Sequence, residues 1–178
     1  MATASTLNNG SQPNTDGIHQ QRIPETLRWR PMPVPLGEIT PALLPVVKTP
    51  ETPVPCRRCM QMSKVGDEMV LVSYDPFLGD SPYRCASPIF LHSNLSCEPA
   101  VFPESGGLLP EQQRMHRLAV RAYDGNHMMQ GSEVVDGDEL LDACQRLLKE
   151  ENSAEYCHVH YLAPGCFAVR VEKASLPI

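Results

Sequence analysis

Two groups of residues in this chain have the types and spacing that chemistry needs. His158-Val159-His160 sets two imidazoles at i and i+2. On a strand such residues point the same way, about 6–7 Å apart, which suits a shared metal or paired acid–base work. Cys166, beyond the Ala163-Pro164-Gly165 turn, is a candidate nucleophile or third ligand, because a nearby imidazole activates a thiol. Arg121 and Arg170 offer guanidinium forks for a carboxylate or phosphate, and Asp124 is placed to orient a histidine. The second group is Cys56-Arg57-Arg58-Cys59, whose spacing lets both thiolates meet one tetrahedral zinc. A lone pair is half a site; His92 and Cys97 are candidates for the other half, giving a Cys₃His zinc. Arg57 and Arg58 would favour the thiolate forms.

Each group also has an ordinary reading. The hairpin face is equally a solvated polar sheet face. The cysteines read more simply as reduced, partly buried thiols beside a surface histidine, because the interval from Cys59 to His92 is long for a compact zinc knuckle. A third segment, Asp80-Ser81-Pro82-Tyr83-Arg84, carries Asp80, Tyr83 and Arg84 as groups able to bind a substrate. Turn chemistry accounts for the same residues: Asp and Ser cap turns, Pro fixes the backbone and Tyr packs. No Gly-rich phosphate loop, nucleophile elbow or His-Glu-x-x-His helix is present.

The elements that must position these residues are legible in outline. Tyr156 to Val171 reads as two β-prone runs about a Pro-Gly turn, a hairpin. Alternation puts Val159, Tyr161, Phe167, Val169 and Val171 on an apolar face and His158, His160, Cys166 and Arg170 on the other. A three-residue turn over 163–165 sets His160 opposite Ala168 and His158 opposite Arg170. Asp136 to Glu151 reads as a helix, regular over about 138–150, with Leu140, Leu141, Cys144, Leu147 and Leu148 on one side and Asp136 or Asp138 as cap. Further strands are expected at 69–74, 88–92, 117–123 and 134–135. The fold class is therefore α+β: a small antiparallel or mixed sheet, one main amphipathic helix and a C-terminal β-hairpin. The helix is expected to cover the apolar hairpin face and leave the histidine face toward a cleft or solvent.

Composition bounds the rest. A formal charge of −6 over 178 residues argues against nucleic acid or an anionic membrane as partner. Seven cysteines is an odd number; with no secretory signal at the N-terminus they read as thiols or metal ligands in a cytoplasmic protein. Ten of the 18 prolines precede residue 56. Residues 1–21 are read as disordered, 22–53 as an extended proline-rich leader anchored by Trp29 and Leu36, 54–173 as one α+β domain and 174–178 as a tail.

Five short motifs occur in order: Asp80-Ser81-Pro82-Tyr83-Arg84, Arg121-Ala122-Tyr123-Asp124, Val134-Val135-Asp136-Gly137, His158-x-His160 and Pro164-Gly165-Cys166. Over about residues 54–173 the chain resembles the family of small, mostly bacterial proteins named domain of unknown function 1203. The resemblance implies no activity, since none is assigned to the family. It implies that His-x-His and Pro-Gly-Cys belong to a common pattern, while Cys59 and His92 are not general. The leader departs from that pattern and reads as a eukaryotic, fungal-type extension. Two functions are expected from these readings. One is a cytosolic metabolic enzyme of isomerase, cyclase or hydrolase type, in a secondary-metabolite pathway, with an anionic small molecule as ligand and the hairpin residues as its site. The other is a non-catalytic accessory or binding protein with a structural Cys/His zinc.

Overall fold

Alternating apolar residues build two antiparallel sheets, the larger containing the C-terminal hairpin and the smaller packed on one face of it. The structure, a computed structural model, describes residues 21–30, 32, 46–48, 53–77, 79–93, 97 and 107–174. The expectations of a disordered 1–20, of extended chain across 33–45 and of Leu36 as an anchor lie outside those residues. The strands are β1 (Leu27–Arg30), β2 (Val46–Lys48), β3 (Met69–Tyr74), β4 (Ser87–His92), β5 (Arg117–Tyr123), β6 (Met129–Asp136), β7 (Tyr156–Tyr161) and β8 (Phe167–Lys173). The helices are α1 (Glu111–Arg114) and α2 (Leu140–Leu147). The larger sheet has the order β1-β8-β7-β5-β6 and the smaller β2-β3-β4. None of the described helices is long and apolar enough to cross a membrane.

The larger sheet buries Leu118, Val120 and Ala122 of β5, Cys157 and Val159 of β7, and Val169 and Val171 of β8 beneath Leu140, Leu141 and Cys144 of α2. Each fully buried leucine in such a layer contributes about 2 kcal/mol. Trp29 of β1 joins this core, and its Nε1 donates to Gln113 Oε1 at 2.9 Å. The helix is shorter than its apolar periodicity suggests. Gly137–Glu139 and Glu150–Asn152 are single 3₁₀ turns flanking α2. Gly137 abuts the carbonyls of Gln113 and Arg114, leaving no room for a side chain. Glu139 precedes α2 without a side-chain cap, and the carboxylate of Asp136 meets Arg117 instead, at 3.1 Å.

Two expectations about the hairpin fail, for related reasons. The pairing of β7 with β8 shifts between Val159 and His160, so His160 faces Phe167 rather than Ala168. This bulge turns Phe167 to the histidine side, 5.5 Å from the His158 ring and 6.0 Å from that of His160. Cys166 passes to the other side, with Tyr161 and Arg57. The histidine face is also not open. All six residues of β7 are buried, because a second core of Met69, Val72, Ile89 and Leu91 from the smaller sheet packs there around Phe167. A strand enclosed by a helix on one face and a sheet on the other has no solvated side.

Candidate metal centre

Cys56 opens a tight turn. Its carbonyl accepts from Met60 N (3.1 Å), its N–H donates to Gln61 O (2.9 Å), and Pro55 bridges Met62. Met60 completes the reversal in the left-handed region at φ 59°. The turn docks on β4 through a parallel bridge from Cys56 to Phe90, with Arg57 N donating to Phe90 O at 3.0 Å. His92 lies two residues beyond Phe90 on the same strand. The long interval between Cys59 and His92 is thus closed by the β3–β4 hairpin, and Cys97 returns just after it.

The ligand atoms of Cys56, Cys59, His92 and Cys97 all lie within 4.8 Å of one another. Cys56 Sγ is 3.8 Å from Cys97 Sγ, and Cys59 Sγ is 3.7 Å from His92 Nδ1. A tetrahedral zinc with Zn–S of about 2.3 Å and Zn–N of about 2.0 Å needs ligand–ligand edges of about 3.5–3.8 Å. The two closest approaches already have that length. Cys56 is fully buried and the other three are partly so, as a closed site requires. A Cys₃His group that could hold a metal ion is therefore present.

The surroundings suit anionic sulfur at one of the three thiols. The Cys56 thiol is drawn down to about 4, first by the thiol of Cys59 and, against burial, by the backbone N–H groups of Cys59, Arg58 and His92. Cys59 is pushed up, first by Cys56 and then by burial, while the N–H of Gln61 works the other way. Cys97 is pushed up by burial and by the charge on Cys56. One thiolate thus holds two thiols in their neutral form, an arrangement that a cation would reverse, releasing protons. The imidazole of His92 turns Nδ1 toward Cys59 and Nε2 toward Asp67 Oδ2, at 3.2 Å. Such a carboxylate fixes the tautomer that leaves the other nitrogen free to ligate. Asp67 carries no signal in the sequence; the register Met69↔His92 is what brings it there.

The remaining candidates are placed as follows. Arg121, His158 and Arg170 form one row across β5, β7 and β8. His158 has no solvent exposure and sits among the rings of Phe77, Tyr123, Tyr156 and Phe167, at 4.7–5.5 Å. Neither of its nitrogens has a hydrogen-bond partner among the described residues. His160 lies 6.5 Å from it between ring centres, its Nδ1 at 3.2 Å from Gly165 O. Arg170 stacks over Tyr156 at 3.6 Å and donates to Glu172 at 2.7 Å. Asp124 accepts from Asn126 N, Met128 N and Gln130 Nε2, so it shapes the β5–β6 turn rather than orienting a histidine. Arg84 is held by Asp75 at 2.7 Å and Asp80 at 3.4 Å, and Tyr83 packs edge-on against Tyr123. His158 and His160 share one side, Cys166 lies on the other, and Cys56, Cys59, His92 and Cys97 come together.

No curated protein and no solved structure matches the chain. The model of a protein family described as "Protein of unknown function (DUF1203)" matches residues 53–173. That span contains the four cysteine and histidine ligand candidates, Asp67 and both strands of the hairpin. Since it covers well over half of the sequence, the chain belongs to the DUF1203 family.

Proposed function

We propose that the chain is a zinc-holding, non-catalytic binding or accessory protein, in which one zinc is bound by Cys56, Cys59, His92 and Cys97. The observation that carries this reading is the convergence of four ligand atoms within 4.8 Å, backed by Asp67 behind His92. Four protein ligands close a tetrahedral site and leave no position for water or substrate, which is the signature of a structural zinc. The metal would tie the 56–60 turn to the end of β4 and so clamp the smaller sheet over the hairpin. The arrangement of the hairpin lends no comparable support to the enzyme reading. A general acid or base must reach its substrate's proton, and His158 is enclosed by aromatic rings.

The test is metal analysis of the full chain purified without a histidine tag. One zinc per chain is expected, lost on Cys59→Ser and retained when His158 and His160 are both changed to Ala. A metal that survives Cys59→Ser but disappears with the two histidines would overturn the assignment.

A further inference from the structure

Arg57 lies between two of the ligand cysteines, yet its side chain runs away from the metal group. It is buried and donates to Phe167 O at 2.7 Å, to Pro55 O at 2.5 Å and to Cys166 Sγ at 3.1 Å. Its guanidinium also stacks over the Tyr161 ring at 4.8 Å. These contacts form one wall of a cavity of about 730 Å³, within the range of sites that enclose a small organic molecule. The lining also includes Leu71, Pro88 and Phe90 of the smaller sheet and Leu162 and Pro164 of the β7–β8 turn. Most of this surface is hydrocarbon.

The charged groups on the cavity have one sign. Arg57 and Arg117 contribute to the lining, beside the imidazole of His116, and no carboxylate does so among the described residues. This is notable in a chain of formal charge −6. Arg117 has an ion-pair partner, Asp136 at 3.1 Å, but both side chains are about two-thirds exposed or more. Such a pair is worth little in water and exchanges readily for a ligand carboxylate. His116 stands edge-on to Tyr161 at 5.2 Å, and both it and Arg117 are exposed members of the lining.

We propose that this cavity is a binding site for an amphiphilic monocarboxylate, such as a medium-chain fatty acid. Its chain lies along Leu71, Phe90 and Leu162, and its carboxylate is held at the mouth by Arg117 and His116. The lining shares no residue with the metal group, although Arg57, Leu71, Pro88 and Phe90 belong to the segment that the proposed zinc would hold in place.

Calorimetric titration of the full chain with sodium decanoate, and separately with decanol, tests it. Saturable binding of one decanoate is expected, with decanol at least tenfold weaker. Arg117→Glu is expected to weaken decanoate at least tenfold and leave decanol unchanged, whereas Leu162→Glu weakens both. Both positions are exposed enough for the variants to fold, which an unchanged unfolding midpoint verifies. Absence of saturable binding, equal affinity for decanol and decanoate, or indifference to both substitutions would overturn the proposal.

Discussion

The most demanding consequence of the fold concerns acid. Burial lowers the pKa of His158 to about 2, with the charge of Arg170 and then the neighbouring His160, His127 and Arg121 adding to the effect. Burial and Arg121 lower that of His160 to about 4, despite the carbonyl of Gly165. Both imidazoles are neutral in the folded protein. In the unfolded chain each returns to 6.5 and takes up a proton below that value. A depressed folded value therefore gives stability that is present above the unfolded pKa and is lost as pH falls toward the folded one. Between pH 7 and pH 5 the unfolded state gains about 0.7 proton per group and holds most of a proton more than the folded state over that range, so each imidazole removes about 2 kcal/mol and the pair about 4 kcal/mol. His158→Phe fits a ring among rings and should halve that loss. At pH 7 the substitution should be neutral or stabilising, because it removes two buried nitrogens that lack partners, each costing about 1–3 kcal/mol. Urea unfolding of wild type and variant at the two pH values, at fixed ionic strength, reads the difference. Any release of metal by acid is common to both proteins and cancels. An identical pH dependence in wild type and His158→Phe would refute the reasoning.

Other outcomes can be stated briefly. Asp67→Asn should weaken zinc about 10–100-fold without changing the stoichiometry, measured by competition with a chromogenic chelator; equal affinity would remove Asp67 from the site. Gly137→Ala puts a methyl group onto the carbonyls of Gln113 and Arg114 and should cost about 2 kcal/mol or more, read as a fall in unfolding midpoint; an unchanged midpoint would show that the contact relaxes freely. Chelation of the metal should increase proteolysis within 53–93 before the larger sheet opens, and uniform loss of both sheets on chelation would contradict a clamp confined to the smaller one.

Much of the local structure was legible because its signal is local. The apolar run at 69–74 is β3, the alternation at 117–123 is β5, and the leucine periodicity after Asp136 marks the helix. What failed depends on partners distant in sequence. Nothing in 156–171 announces that β3 and β4 will cover the histidine face, since that packing joins residues about 65–100 positions apart. A one-residue shift in pairing exchanges every side chain beyond it, and no residue between Val159 and Phe167 advertises the bulge. The metal group shows the reverse case. Cys56-x-x-Cys59 was visible as half a site, and the sequence offered His92 and Cys97 as partners, but only the bridge from Cys56 to Phe90 explains why the interval is no obstacle. Helix length was overestimated because a hydrophobic period continues through 3₁₀ turns, and Gly137 reports a close backbone approach that periodicity does not encode.

The bulge between Val159 and His160 also bears on how this hairpin tolerates changes of length. Its tip is exposed and carries Pro164 and Gly165, features that ordinarily mark a place where insertions and deletions accumulate. Here the strand beyond the tip supplies Phe167 to one core and Cys166 to the other, so adding or deleting a single residue would exchange the two. Ring and thiol would then each meet a cavity shaped for the other. Length variation at this turn should therefore come in steps of two residues, or be accompanied by loss of the bulge.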